Sequence, residues 1–118
     1  MNNPSLIKNF IAEAAVAPYR IVKFGTNDDS VVQAAAAADA SIGVNGALAG
    51  DIGKRVDIVL LGATEVEYGA AVTRGDLLTA DADGKAVPAI AGNRVIGIAM
   101  ASGVAGDIGS LTIAPSID

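Results

Sequence analysis

The clearest candidate for chemistry is a glycine-rich run that ends in a lysine, Gly50-Asp51-Ile52-Gly53-Lys54. A phosphate-binding loop needs a glycine five residues before its Gly-Lys pair and a Ser or Thr directly after it. Leu48 and Arg55 stand at those two positions. The spacing therefore predicts a tight turn, in which glycine supplies positive φ and the aspartate bonds its own backbone.

A second candidate is the acidic run Asp81-Ala82-Asp83-Gly84, which resembles the start of a calcium-binding loop. Such a loop also needs an oxygen ligand at its fifth position and a glutamate at its twelfth. Lys85 and Gly92 stand there instead. The sequence favours a surface turn, and a weak calcium contact completed by another subunit's oxygens stays open as an alternative.

Glu65 and Glu67 are two residues apart on a predicted strand, so their carboxylates should share one face. Paired carboxylates can hydrolyse glycosides, but only in a substrate cleft. The chain contains two Tyr, two Phe and no Trp that could stack on a sugar. The pattern favours a solvated face, or a rim that pairs with Arg74 or Arg94 across an interface.

Composition excludes most other chemistry. The 118 residues contain no His and no Cys, so no transition-metal site of these ligands and no Cys or His catalysis is possible. No serine lies in a recognisable nucleophile elbow. We therefore predict a protein that is not an enzyme and needs no cofactor or metal. The net charge of −5 argues against binding nucleic acid through its phosphates.

Hydrophobic residues make up 52% of the chain but aromatic residues only 3%. No apolar run approaches the roughly 20 residues of a membrane span, and the N-terminus lacks the pattern of a signal peptide. We expect no membrane partner. A small chain this apolar should place part of its hydrophobic surface in subunit interfaces.

An internal repeat organises the chain. The pentapeptide Ala49–Gly53 recurs 56 residues later at Ala105–Gly109, and Ser41–Val44 matches Val95–Ile98 at a spacing of 54. Repeats reveal fold organisation, and two copies are too few for a solenoid. We expect equivalent structural turns in the two pentapeptides, so that Gly50→Val and Gly106→Val damage folding similarly. The predicted turn residues are Gly50, Asp51, Gly53, Gly106, Asp107 and Gly109.

Alternating, β-branched segments predict strands, and Asp83-Gly84 predicts a hairpin turn between two of them. The predicted strands span residues 19–24, 56–61, 64–68, 94–100 and 111–113. Residues 33–40 are alanine-rich and could form helical turns or a plain linker. The predicted fold is mainly β: one compact, pseudo-twofold, barrel-like domain over residues 17–118, built from duplicated strand modules at about 19–61 and 75–116.

Residues 5–15 carry apolar side chains at helical spacing, with Ser5 as a possible N-cap. Because this stretch lies outside both modules, we predict a partly helical N-terminal arm over residues 1–16. Deleting the arm should leave a folded domain that no longer binds its partner. The predicted partner-binding residues are Leu6, Ile7, Phe10 and Ile11.

Several stretches together are similar to the phage capsid cement, or head decoration, proteins. They include Ser41–Val44, Val56–Leu60, Gly69–Leu78, Asp83–Lys85 and Val95–Ala99, together with both Ala-Gly-Asp turns. The resemblance covers about residues 17–116 and contains turn and strand patterns rather than catalytic signatures.

The resemblance implies a virion structural protein, made in the host cytoplasm, that binds the outer surface of a phage capsid. Such a protein would sit at the junctions of capsomers and stabilise the head against internal DNA pressure. Its expected partners are the major capsid protein and itself, as a homotrimer or another small homo-oligomer. No catalytic residue is carried over from this family.

Two other classes of function stay open. One is a homo-oligomeric structural or binding module unrelated to phage. The other is a small-molecule enzyme or a biotinyl-type carrier domain, for which Lys85 at the Gly84-Lys85-Ala86 hairpin is the nearest attachment point. A carrier lysine stands beside small or Met residues, and Lys85 lacks the methionine.

Overall fold

The computed structural model describes residues 3–117, which form nine β-strands and, over that range, no helix. This confirms the prediction of a mainly β, barrel-like protein. The strands are β1 (Asn3–Ala12), β2 (Ile21–Phe24), β3 (Ser30–Gln33), β4 (Ser41–Asn45), β5 (Arg55–Glu67), β6 (Leu77–Ala80), β7 (Ala86–Pro88), β8 (Arg94–Ala99) and β9 (Ile108–Ile117).

The first five strands close into a barrel. Their order is β1-β3-β2-β4-β5, and β5 also pairs with β1, which completes the ring. The β1–β3 contact is parallel and short, at Ile11–Ser30 and Ala12–Val31, whereas the β1–β5 contact is antiparallel and runs along β1. Closure covers the second edge of β1 at Ile11 and Ala12, where β3 pairs with it, and a paired edge does not invite aggregation.

The last five strands repeat this arrangement, with β5 as a member of both sets. Their order is β5-β9-β8-β6-β7, and a single parallel bridge between Tyr68 and Ala86 brings β7 back to the end of β5. Gly62 (φ 93°) lies where β5 passes from the first ring to the second. A positive φ is easy only for glycine, so this residue lets one strand serve two rings.

The strand registers establish which residues are equivalent. Val22 pairs with Gly43 in the first ring, and Leu78 pairs with Gly97 in the second. In both rings the glycine admits a neighbouring strand, because a Cβ would strike the carbonyl oxygen of Val59 at Gly43 and of Thr112 at Gly97. The match between the two Ile-Gly steps is therefore confirmed, and its cause is a close backbone approach.

The predicted equivalence of Gly50 and Gly106 is wrong. Val16 bridges Gly50 in the first ring, and Val72 bridges Gly103 in the second. Gly106 is therefore the counterpart of Gly53, so the two pentapeptides occupy places that differ by three residues. The identical sequences of the two pentapeptides concealed this shift, because each pentapeptide contains two glycines three residues apart.

The predicted helical arm is also wrong. Residues 3–12 form β1, which pairs with β5 from Asn3–Ala63 to Ile11–Arg55, with two bulges near Leu6. The bulges set Leu6 opposite Leu61 and Ile7 opposite Val59, which are two residues apart on β5, so the neighbours Leu6 and Ile7 share one face. This breaks the strict alternation by which a strand is recognised. Pairing with β5, which the local sequence does not reveal, decides the conformation.

Two hydrophobic clusters fill the protein, one for each ring. The first contains Phe10, Ala12, Val16, Val22, Val31, Val56 and Ile58. The second is larger and contains Val66, Tyr68, Leu78, Ile96, Leu111 and their neighbours, together with Ile21, Val44 and Val59 from the outside of the first ring. Because β1 supplies Phe10 and Ala12, deletion of residues 1–16 would remove part of the first core.

The remaining local predictions are refined by the structure. The two strands expected at 56–61 and 64–68 are one continuous strand, β5. The hairpin at Asp83-Gly84 joins β6 and β7. Residues 34–40 form no helix; they make a turn in which the Asp39 carboxylate accepts the amide hydrogens of Ala35 and Ala36.

Candidate functional site

The six predicted turn residues have different roles. Gly53 (φ 77°) and Gly106 (φ 91°) are turn glycines in the left-handed region. Gly50 is a bridge residue and Gly109 lies inside β9. The Asp51 carbonyl accepts the amide of Lys54, and the Asp107 carboxylate accepts the amide of Val104. These bonds shape the β4–β5 and β8–β9 turns.

The Gly50–Lys54 segment has no free amide cradle of the kind that holds a phosphate. The amide of Gly50 donates to Val16, that of Gly53 to Ala12, and that of Lys54 to Asp51, all at carbonyl oxygens. A phosphate loop keeps such donors for its ligand. The geometry supports the turn interpretation.

The acidic hairpin at residues 81–85 attaches the second ring to the first. Within it, the Asp81 carboxylate accepts the amides of Asp83 and Lys85. The Asp83 carbonyl in turn accepts hydrogen bonds from the Arg20 and Gln33 side chains, and the Gly84 carbonyl accepts the amide of Ile21. This hairpin therefore packs against β2 and β3 and joins the two rings.

Three charged side chains, those of Arg20, Glu67 and Lys85, form ion pairs beside this hairpin. The Glu67 carboxylate is 2.9 Å from the Arg20 guanidinium and 3.1 Å from the Lys85 ammonium, and all three side chains are largely buried. Glu67 thus pairs with residues other than Arg74 or Arg94. Lys85, the nearest candidate for a carrier attachment, is engaged in holding the two rings together.

The predicted partner-binding residues divide into two pairs. Leu6 and Ile7 are exposed on β1, whereas Phe10 is buried in the first core and Ile11 is half-buried between β5 and β3. Only Leu6 and Ile7 are therefore accessible to another protein in this conformation.

Ile7 lies at a concave surface of the protein, and Leu6 is its neighbour on β1. Ile7 lines a groove of about 350 Å³ between the start of β1, the middle of β5 and the β4–β5 turn. Leu48, which is almost fully exposed, stands on the opposite rim, and Leu61 pairs directly with Leu6. We call Leu6, Ile7, Leu48 and Leu61 the apolar rim. Such clustered apolar exposure is typical of a protein-binding surface.

Sequence reasoning missed Leu48 and Leu61. Leu48 lies in Gly46-Ala47-Leu48-Ala49, where a single large apolar residue interrupts a turn of small residues. That interruption was a usable signal, because turns are ordinarily polar. Leu61 could not be found, because its exposure depends on how β5 leaves the first barrel.

Hydrogen bonds set the pKa of two carboxyl groups. The Ser30 hydroxyl, then the amide and hydroxyl of Thr26, lower the pKa of Glu13 below its ordinary value. Burial opposes ionisation of Asp39, but the amides of Ala35 and Ala36 and the nearby Lys23 outweigh it and lower the pKa of Asp39. Both groups close turns rather than face a cleft.

Residues 3–117 contain no group of three or more carboxylates placed to hold a metal ion. Over the same range, no helix is long and apolar enough to cross a bilayer. The apolar rim, by contrast, combines exposed apolar side chains with an adjacent groove.

Comparison with known proteins agrees with this picture. A sequence model of the family described as phage cement protein matches residues 3–113. No curated protein sequence matches the chain. A solved structure, the head fiber gp8.5 N base in bacteriophage phi29, superposes with a TM-score of 0.74 at 27% identity, covering 96% of this chain and 97% of that one.

Proposed function

The chain belongs to the phage cement protein family, and from this premise we propose that it binds the outer surface of a phage head at capsomer junctions. The family makes it a structural component of the virion capsid that binds capsid protein. In the proposal it acts as a homotrimer and stabilises the shell against the pressure of packaged DNA. The match over residues 3–113 carries this conclusion.

Placement on the outside of the head is supported by the phi29 relative. That structure is the base of a head fiber, and a fiber projects from a shell. The similarity extends over nearly the whole of both chains, so this protein corresponds to the entire base. A closed barrel is suited to an external clamp, because strand pairing around its circumference makes it stiff.

We assign the capsid contact to the apolar rim. Leu6 and Ile7 lie on the part of β1 whose second edge is not paired, since β3 reaches only Ile11 and Ala12. An extended segment of the capsid protein can add to that edge through backbone hydrogen bonds while its side chains enter the groove beside Leu48. In this proposal, three such contacts in one trimer reinforce one another through effective concentration.

The proposal is tested with expanded heads that lack this protein. The wild-type chain should co-sediment with them, and Ile7→Glu, which places a charge in the groove, should reduce the bound fraction at least about tenfold. Ile52→Glu is the matched control, because Ile52 is exposed in the β4–β5 turn and lies outside the apolar rim. Equal binding by wild type and Ile7→Glu would remove the rim from the interface.

The stabilising role needs a separate measurement. Filled heads with and without the bound protein are heated, and release of DNA is followed with an intercalating dye. The proposal expects release at a higher temperature from the decorated heads. Identical release curves would show that the protein binds without reinforcing the shell.

A further inference from the structure

The two rings meet through a row of apolar residues on the outside of the first ring. Ile21, Val44 and Val59 are in register across β2, β4 and β5, so they form a straight row. All three are buried, and they belong to the cluster that fills the second ring. We call them the inner row.

The second ring has the same row, and the residues that the structure describes cover it only in part. Leu77, Ile98 and Thr112 are in register across β6, β8 and β9, at the positions equivalent to the inner row. Leu77 and Ile98 are each 37% exposed, whereas their counterparts Ile21 and Val44 are 0% exposed. We call Leu77, Ile98 and Thr112 the outer row.

The surface that receives the inner row also occurs twice. In the second ring, Ala80, Ile96 and Ile113 lie in the same buried cluster as the inner row, and we call them the closed mouth. None of the three is more than 7% exposed.

Phe24, Ile42 and Leu60 hold the equivalent positions in the first ring. Ile42 and Leu60 are only partly buried against the first core, and Phe24 is 49% exposed. We call Phe24, Ile42 and Leu60 the open mouth.

We propose that the outer row of one copy docks in the open mouth of a second copy, as the inner row docks in the closed mouth within each chain. A second copy of this chain is the partner that fits, because each copy carries both surfaces of the contact, the outer row and the open mouth. Inside the chain, the equivalent surfaces already pack against each other. The contact is heterologous, so repetition of it gives a ring when the rotation closes. The inference rests on the proposed homotrimer and assigns the interface that builds it.

Charge at this contact is mixed. Asp28 and Asp29 lie in the exposed turn after Phe24, whereas Arg74 is exposed in the turn before Leu77 and Asp76 directly precedes Leu77. Arg74 can pair with the acidic turn, but Asp76 repels it, and like charges that meet in an interface weaken it. The apolar match therefore carries the contact.

The polar contacts of the internal interface are not repeated. Arg20 and Gln33 bind the Asp83 carbonyl inside the chain, but Asp76 and Pro88 stand at the positions equivalent to Arg20 and Gln33. The contact between copies therefore depends on apolar burial, and it should be weaker and more easily reversed than the contact between the rings.

The test uses light scattering on the full chain with three single substitutions that each add one carboxylate. Ile98→Glu alters the outer row, Phe24→Glu alters the open mouth, and Ile52→Glu is a control in an exposed turn. Wild type and control should form the same closed oligomer, whereas Ile98→Glu and Phe24→Glu should each stay monomeric. Mixed in equal amounts, these two should form a dimer, because one retains the mouth and the other the row.

Several outcomes would overturn the inference: a wild-type chain that stays monomeric, an oligomer unchanged by Ile98→Glu, or a mixture that forms no dimer. Circular dichroism checks that each variant is folded. If Phe24→Glu unfolds, cross-linking replaces it. The chain has no Cys, so Ile98→Cys mixed with Ile42→Cys should be joined by a short bis-maleimide, and no joined product would be equally decisive.

Head binding separates this inference from the proposed function. A monomeric wild-type chain that still binds heads would disprove the interface and the trimer, and would leave the head-binding role standing. An oligomer with the predicted interface that binds no heads would do the reverse.

Discussion

The ring of Tyr68 occupies the space into which a side chain at Gly109 would project. At the equivalent place in the first ring stand Ala12 and Val56. The two rings thus fill this space in opposite ways. In the second ring the large side chain is Tyr68, just after the end of β5, and it faces a glycine on β9. In the first ring the larger residue is Val56 on the last strand, β5, and the smaller is Ala12 on β1. Burial raises the pKa of Tyr68, whose hydroxyl donates to the Ala101 carbonyl oxygen at 2.6 Å.

This exchange predicts strong coupling between the two positions. Tyr68→Ala should destabilise the protein by about 4 kcal/mol through the cavity it leaves. Gly109→Val should cost about 3 kcal/mol or more, because the ring must move. The double variant should recover about 1 to 3 kcal/mol relative to the sum. Urea denaturation of the four proteins measures the cycle, and strictly additive losses would contradict the packing relationship.

The two Ile-Gly steps should respond alike to substitution. Gly43→Ala and Gly97→Ala each drive a methyl group into a carbonyl oxygen of the adjacent strand. We expect losses of about 2 kcal/mol or more in the free energy of unfolding for both. Gly46→Ala is the control, since open space surrounds that position. A large difference between Gly43→Ala and Gly97→Ala would argue against equivalent rings.

The turn glycines give a different equivalent pair from the one that the pentapeptide suggests. Gly53→Ala and Gly106→Ala should each cost about 1 to 2 kcal/mol, because alanine is strained at positive φ and no neighbour is close. Gly103→Ala should cost more, since its methyl group meets the Tyr68 ring. Thermal unfolding distinguishes these cases, and a loss at Gly103 no greater than at Gly106 would contradict the assignment.

Glu13 predicts a specific pH dependence. Its pKa is lowered in the folded state from the ordinary 4.5, so its contribution to stability is fully present above pH 4.5. That contribution disappears as the pH falls through the lowered pKa, when the carboxyl group takes up a proton. Glu13→Gln should therefore reduce stability at neutral pH and flatten its decline toward acid. Urea midpoints from pH 7 downward measure this.

Glu65→Gln is the control for Glu13→Gln, because it removes the same charge from near the end of β5 and leaves the Ser30 and Thr26 contacts intact. If wild type and Glu13→Gln lose stability in parallel as the pH falls, the hydrogen bonds to Glu13 do not favour its charged form.

The fold class could be predicted from local patterns, but the organisation of the rings could not. Gly43 and Gly97 were matched correctly because a close backbone approach demands glycine at both places. The pentapeptide repeat predicted the wrong equivalent of Gly106. Gly50 and Gly53 have different backbone conformations, and glycine accommodates both, so the residue type does not distinguish them. Strand β1 was mistaken for a helix since its two bulges disrupt alternation, and its partner β5 lies about 50 residues away.

The candidate binding surface was predictable only in part. The apolar excess pointed to interfaces, and Leu6 and Ile7 are indeed exposed. Phe10 belongs to the same sequence pattern but is buried in the first core, and Ile11, on the other face of the strand, is half-buried. The pattern did not reveal this, because the two bulges decide which face each residue joins. The outer row could not be recognised beforehand, since Leu77 and Ile98 are distant in sequence and differ from the inner row only in what covers them.

The sharing of β5 has a mechanical consequence. Ala63 pairs with Asn3 on one side and Thr112 on the other, so the first and last strands flank the same segment of backbone. A force that pulls the two ends of the chain apart is carried by hydrogen-bond ladders along β5 rather than by a flexible hinge. The molecule should therefore yield abruptly under tension, as one element.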